Sequence, residues 1–254
     1  MVIQEFSSQQ HLFAKESTLE SRRFNLHIGR LIVPFDDQMS DAELAQLCHE
    51  SSFDLLIVRA SASKNLLANA LSNIASHRTI HADTLLYFQK SLSSTSPSQQ
   101  TQSMGLLQAS EHTAFQQLVR DVFPNYANHY SANPMLDQAL CLEGYVEWAS
   151  SLLNNDSGHV FVSRTSSGKL ASFIAIQGDG ETAEIALNGT APGSQGSGIY
   201  SDLLTFACAE LGAMGFTEIN TSTQSSNDKV IRTWIRNGFN YVTAINTFHV
   251  IRIN

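Results

Sequence analysis

The stretch Glu184–Leu211, EIALNGTAPGSQGSGIYSDLLTFACAEL, constrains the fold more than any other part of the chain. It reads as a strand, a loop of small residues carrying Gly189, Gly193, Gly196 and Gly198, and then an amphipathic helix. A glycine-rich loop that feeds a helix N-terminus makes an anion site. The first backbone N–H groups of the helix lack partners, and the helix dipole adds partial positive charge at the same place. Which anion, and what is done with it, depends on the elements around the loop.

Those elements alternate in a readable order. Upstream, Ser110–Phe123 has a helical apolar face of Phe115, Leu118, Val119 and Val122, and Pro124–Asn133 is a polar, aromatic loop. Asn133-Pro134 then has the N-cap and first-turn chemistry of a longer helix through Ala139, Leu142, Val146, Ala149 and Leu153, which stops at residues 154–158. His159–Arg164 and Leu170–Gln177 read as strands joined by the turn Ser166-Ser167-Gly168-Lys169, and Asp179-Gly180 turns the chain into Thr182–Leu187. Three antiparallel strands therefore precede the glycine-rich loop. After it, Leu203, Phe206, Ala207, Leu211 and Met214 share a helical face that ends near Gly212–Gly215. Phe216–Thr223 reads as a strand, Asn227–Arg236 as a helix, and Phe239–Ile253 as a final pair of strands.

The first hundred residues read β-α-β-α-β. Phe24–Val33 is a strand closed by Pro34, and Ser40 with Glu43 forms a capping box. Phe53–Arg59 is a continuous apolar strand, Lys64–Ile74 a helix and Thr79–Gln89 another strand. Residues 91–103, SLSSTSPSQQTQS, are the clearest break in composition. The expected organisation is a small N-terminal α/β domain, residues 1–103, followed by a second domain, residues 104–254. A long surface loop inside one domain is the alternative.

Composition excludes several classes. A net charge of −8 lacks the basic footprint of nucleic-acid binding, though it permits a small anion held by backbone amides. Cys48, Cys141 and Cys208 are odd in number and widely spaced, which suggests neither a disulfide framework nor a zinc site, so no metal is expected. No run reaches the apolar length of a membrane span, and the N-terminal residues lack the pattern of a secretory signal, which favours the cytoplasm. The Gly-Lys-Ser/Thr of a Walker loop does not follow Gly198, and an antiparallel run of strands argues against a dinucleotide fold.

The element order of the second half, together with Gln195-Gly196-Ser197-Gly198-Ile199-Tyr200, resembles the GNAT superfamily of acyl-CoA-dependent N-acyltransferases. The acyl-CoA loop of that superfamily has the form Gln/Arg-x-x-Gly-x-Gly/Ala. Gln195 and Gly198 match it, and Tyr200 stands where Gly or Ala is usual. Asn227, Gly238 and Phe239 match a second pattern downstream. The resemblance covers roughly residues 106–254. It implies a mixed, mostly antiparallel central α/β sheet flanked by helices, with acyl-CoA as co-substrate.

It also implies a binding set. Gln195, Gly196, Ser197, Gly198, Ile199 and Tyr200 would hold the pyrophosphate, while Leu187, Asn188 and Gly189 would meet the pantetheine arm and polarise the thioester carbonyl. Asn227 would bond the same arm. The tyrosine that many such enzymes use to protonate the thiolate falls here on Trp234. Tyr200, Tyr241, Ser226 or direct proton transfer from the attacking amine are the substitutes. His129, Glu184 and His249 are candidates for a base, beside a path through water.

The N-terminal extension, the His129-Tyr130…Asn133-Pro134 loop and the Thr247-Phe248-His249 ending resemble the two-domain dTDP-amino-sugar N-acyltransferases. That resemblance implies acetyl or short hydroxyacyl transfer to a dTDP-linked amino-dideoxy sugar, with Tyr130, Asn133 and His249 on the acceptor. Tyr126, Tyr130, Tyr145 or Trp148 would stack on it, and Arg164, Arg232 and Arg236 are available for its diphosphate. A protein or peptide N-acetyltransferase and a non-catalytic acyl-CoA-binding module are the other readings. A homodimer is open.

Overall fold

The computed structural model describes Phe6 and residues 12–93, 103–124, 128–153 and 158–253. In chain order the elements are β1 (Lys15–Glu16), α1 (Thr18–Phe24), β2 (Ile28–Ile32), α2 (Asp41–Glu50), β3 (Leu55–Ser61), α3 (Leu67–Ser72) and β4 (His77–Ser91). Next come β5 (Met104–Leu106), α4 (His112–Val122), α5 (Gln138–Leu153), β6 (Gly158–Arg164), β7 (Leu170–Asp179) and β8 (Thr182–Thr190). The chain ends with α6 (Ile199–Ala213), β9 (Glu218–Gln224), α7 (Asp228–Arg236) and β10 (Asn240–Arg252). The strands form one sheet in the order β1-β2-β3-β10-β4-β9-β8-β7-β6-β5. Among the described residues only β2–β3 and β8–β9 are parallel pairs. The mixed, mostly antiparallel sheet flanked by helices agrees with the sequence expectation.

Helices cover both faces. On one face of the C-terminal half-sheet, Leu203, Ala207 and Leu211 of α6 and Trp234 of α7 pack on Ile174, Ile176, Ile185 and Ile219. On the other, Phe115 and Val119 of α4 and Val146 and Ala149 of α5 pack on Val160, Val162 and Phe173. In the N-terminal half-sheet, α2 and α3 bury Leu44, Cys48, Leu67 and Leu71 against Leu31, Leu56, Val58, Phe248 and Val250. The two-residue period of a strand turns the alternate residues of the same strands, among them Arg30, Arg59, Thr247 and His249, to the opposite face.

The chain joins its halves in a way the sequence did not announce. Phe239–Ile253 is not a pair of strands but one 13-residue strand, β10, lying between β3 and β4. Nothing inside that segment offers a Gly- or Asn-Gly-type hairpin turn, so the chain runs straight on. β4 in turn lies between β10 and β9, so a strand from the first hundred residues borders the elements around the glycine-rich loop. Two further differences concern helices. Residues 18–24 form a helix closed by Asn25 in the left-handed region (φ 52°). The helix expected from Asn133-Pro134 begins instead at Gln138, because Asn133 Oδ1 accepts from the Met135 N–H and so forms a local turn (3.0 Å).

Candidate active site

The two halves of the sheet meet at a cleft of about 1260 Å³. Its donor-side wall starts with β8. The β7–β8 register shifts between Ala175↔Leu187 and Ile176↔Ile185, leaving Ala186 as an extra, bulged residue. On its other side β8 pairs with β9 only from Thr182↔Glu218 to Ile185↔Thr221, although the strands continue to Thr190 and Gln224. Beyond that point they splay, and the β8 edge from Ala186 to Thr190 faces the cleft instead of a strand. Gly189 is needed there for packing, since a Cβ would come within 2.5 Å of Val122 on α4.

The glycine-rich loop closes the same wall. Gly198 is the N-cap of α6 at φ 85° and Gly196 sits at φ 79°, both in the region that L side chains avoid, with open space where a Cβ would stand. Gln195 Nε2 donates to the Thr190 carbonyl (3.3 Å) and Ser197 Oγ to the Ser194 carbonyl (2.7 Å), which ties the loop to the end of β8 and to itself. The first bond of the α6 ladder runs from Asp202 N to Gly198 O (3.1 Å). The N–H groups of Ile199, Tyr200 and Ser201 are therefore the orphan donors of the helix start. Asn227, N-cap of α7, lines the cleft and donates from Nδ2 to Thr223 Oγ1 (3.0 Å).

Tyr200 and Trp234 explain each other. Trp234 is fully buried, and its indole N–H donates to the Tyr200 hydroxyl (2.8 Å). With that bond accepted, the phenol keeps its own proton to give. Burial pushes Tyr200 above the ordinary phenol range, with the Trp234 bond acting in the opposite direction. Tyr200 lines the cleft, whereas Tyr241 and Ser226 stand outside it. Glu184, on β8, is buried and also lines the cleft.

The opposite wall is built from buried polar side chains. Arg30 of β2 forms a two-pronged pair with Glu20 of α1 (2.7 and 2.6 Å), and the Tyr130 hydroxyl bonds the same carboxylate. Burial pushes Glu20 up, but Arg30, with help from Ser17 and Tyr130, outweighs it and holds the carboxyl down at about 2. Behind Tyr130, Asn133 donates from Nδ2 to His249 Nδ1 (3.1 Å), and His249 Nε2 lies 3.0 Å from His129 Nδ1.

The orientation of the Asn133 amide decides the protons in this chain. Its Oδ1 is engaged by Met135, so Nδ2 must face His249, and His249 Nδ1 must accept. Neutral His249 then carries its proton on Nε2 and donates to His129 Nδ1, which leaves the His129 proton on Nε2. Burial holds both rings neutral. It drives His129 well below the usual imidazole range, with His249, Arg30 and Arg59 adding to the effect. It also brings His249 down to about 4, Glu20 opposing and Arg30 assisting. In this state His129 offers the cleft an N–H donor, not the lone pair that a base requires.

The structure thus brings His129, Tyr130, Glu184, Leu187, Asn188, Gly189, Gln195, Gly196, Gly198, Ile199, Tyr200 and Asn227 to one cleft. Asn133 and His249 are fully buried behind that wall, and Ser197 is exposed and is not among the residues that line the cleft. Arg164 is held by Glu111 (2.7 and 2.6 Å) away from the cleft, while Arg232, Arg236, Tyr145 and Trp148 line it. Tyr126 lies outside the described residues. Sequence reading did not single out Glu20, Arg30, Arg59 or Asp83, all of which line the cleft. Their only sequence signal is a charged residue interrupting a strand pattern, as in Arg30 and Arg59.

A family model described as acetyltransferase (GNAT) family matches residues 113–239, half of the chain. The chain belongs to the GNAT acetyltransferase family. Solved structures with the same fold include a functionally unknown conserved protein from Staphylococcus epidermidis (14% identity, TM-score 0.57, covering 98% of this chain and 94% of that one). An acetyltransferase from the GNAT family from Colwellia psychrerythraea has 17% identity and a TM-score of 0.54, with coverage of 89% and 77%. A GCN5-related N-acetyltransferase from Sphaerobacter thermophilus has 16% identity and a TM-score of 0.56. There the alignment covers 78% of this chain and 60% of that one. At these identities the likeness speaks to the fold. No curated protein matches the chain. Membership of the family implies acetyl-CoA as co-substrate and an acceptor amine. Among the described residues, no helix is long and apolar enough to cross a membrane.

Proposed function

We propose that this GNAT protein transfers an acyl group from acyl-CoA to the amine of a small, polar acceptor enclosed by the cleft. The observation that carries the reading is the coincidence of two backbone features on one wall: the splay of β8 from β9 after Ile185↔Thr221 and the N-terminus of α6 behind Gly196 and Gly198. The loop N–H groups would hold the pyrophosphate, with Gly196 and Gly198 permitting close approach. The free edge of β8 would pair with the amides of the pantetheine arm, and N–H groups near Leu187–Gly189 would polarise the thioester carbonyl. Tyr200, oriented by Trp234, would hand its proton to the departing thiolate. His129 would donate a hydrogen bond to an acceptor oxygen.

The finer reading is a dTDP-linked amino-dideoxy sugar, acylated with an acetyl or short hydroxyacyl group. It is supported by the polar side chains that line the acceptor wall and by Trp148, 43% exposed at the cleft and 6.5 Å from Tyr145, a surface on which a base can stack. In this reading residues 1–103 are an N-terminal unit and residues 104–254 the acyl-CoA-binding unit, and both supply side chains to the acceptor wall. Thiol release tests the proposal. With acetyl-CoA and a dTDP-amino sugar, the parent releases CoA in proportion to amide formed, and Tyr200→Phe lowers kcat by about 10- to 100-fold with little change in CoA affinity. Release with other amines but with no amino sugar breaks the finer reading. Binding of CoA without release for any amine breaks the transferase reading.

A further inference from the structure

We propose that Asp83 is the carboxylate that receives the acceptor's ammonium group and takes its proton, and that Arg59 holds an anionic group on the same acceptor. The proposal rests on the transferase reading and adds the chemical class of the acceptor: a small amine that also carries a negative charge.

Asp83 sits on β4, opposite Thr247 of β10, which is in turn opposite Arg59 of β3. The three residues form a row across one face of the sheet, and Asp83 and Arg59 both line the cleft. Both carboxylate oxygens of Asp83 are buried, and neither is in full hydrogen-bond geometry with Thr247 or Gln224, the neutral polar groups beside it; Thr247 Oγ1 is likewise unsatisfied. A buried carboxylate with no cation and no well-formed hydrogen bond destabilises its site. A ligand's ammonium removes that cost.

Arg59 is the complement. Its guanidinium donates from Nη2 to the Tyr87 hydroxyl (2.9 Å) and lies 5.8 Å from the Phe6 ring centroid. It makes no ion pair among the described residues, unlike its neighbour Arg30, which Glu20 neutralises. Two opposite charges thus face one cleft without pairing to each other.

Burial pushes the Asp83 carboxyl up, against the lowering influence of Thr247 from β10, Arg59 from β3, Gln224 from β9 and His81 on its own strand. Its position suits the chemistry. The β4–β9 pairing ends at Leu85↔Gln224, so Asp83 lies just past the tip of β9, with the splay of β8 on the other side of that tip. An acceptor on Asp83 and a thioester in the splay would meet there.

The reaction balances with the groups named. The ammonium gives one proton to Asp83, and the nitrogen lone pair forms the C–N bond at the thioester carbonyl. The C–S bond breaks, the thiolate takes a proton from Tyr200, and Tyr200 regains one from the second N–H through water. Asp83 returns its proton to solvent, so the products are the amide, free CoA and one proton.

The test compares parent, Asp83→Asn and Arg59→Gln with acetyl-CoA and matched amines: glucosamine against glucosamine 6-phosphate, and ethanolamine against phosphoethanolamine. Asp83→Asn should keep CoA affinity within about twofold and hold or raise Tm. It should cut kcat/KM by about 100-fold or more for every amine the parent accepts, and remove the acid limb of the pH profile. Arg59→Gln should erase the preference for the phosphorylated partner. Activity of Asp83→Asn within threefold of the parent overturns the assignment, as does a fall in its Tm, which would mark a structural carboxylate. A parent that binds CoA and acetylates none of the amines breaks the transferase reading instead. Asp83 is then judged by binding: the amines must raise Tm in the parent and not in Asp83→Asn, and equal shifts or no shifts overturn it.

Discussion

The half-sheet of β5 to β9 and the half-sheet of β1 to β4 with β10 border one cleft but recognise by different means. The first presents backbone: a splayed strand edge, a loop held open by two glycines at positive φ, and the N–H groups of a helix start. The second, together with the segment between α4 and α5 that carries His129 and Tyr130, presents charged and polar side chains, most of them buried: Glu20, Arg30, Asp83, Tyr130 and the His129–His249 pair. Backbone recognition suits a ligand shared by a whole family, because it depends on chain path rather than on particular side chains. Side-chain recognition suits an acceptor that differs from one member to the next. The family model spans residues 113–239 and leaves out β1 to β4 and β10, and of the side-chain wall it takes in only the segment of His129 and Tyr130.

Three experiments would break or sharpen that contrast. The largest effect is expected on the side-chain wall. Glu20→Ala removes a buried carboxylate that holds both the partly exposed Arg30 guanidinium and the Tyr130 hydroxyl, and should cost about 3 kcal/mol in urea or thermal unfolding. CoA affinity, measured at a temperature where the variant is folded, should stay near that of the parent; a parallel loss would mean that the walls are not separable. Next, Gly198→Val adds a β-branched side chain at φ 85° where the backbone must approach an anion. CoA should bind about 100-fold more weakly by calorimetry, and retained binding would remove the loop from the donor site.

The smallest effect is in pH. His249 titrates near 4 when folded and near its ordinary value when unfolded, so the unfolded chain binds more protons between the two. Stability should therefore be fully present above about pH 6.5 and decline towards pH 4, by on the order of 2 kcal/mol. His249→Asn should flatten that decline in denaturation midpoints. An unchanged slope would mean that the buried pair does not control it.

The strands and helices of the donor side were legible because each rests on a local signal. Gly168 and Gly180 mark turns at positive φ, Gly198 marks the start of α6, and the apolar period of Leu203, Ala207 and Leu211 marks its buried face. The acceptor side was legible only in part. His129 and Tyr130 stood out as a polar–aromatic patch, yet their partners His249, Glu20 and Arg30 lie roughly 100 or more positions away. Asn133 was read as a helix cap, which is its usual local use, when its amide instead sets the protons of a buried histidine chain.

By itself, then, the sequence determined the periodic elements, the helix-capping glycine loop and the backbone site that follows from them. These depend on residues within one or two turns of each other, where sterics and unpaired N–H groups act directly. Only the tertiary structure decided that the last segment is a single strand inserted between β3 and β4. That insertion sets Arg59, Thr247 and Asp83 in one row and His249 behind His129. Strand pairing of this kind is a long-range choice made by packing, and no local pattern encodes it.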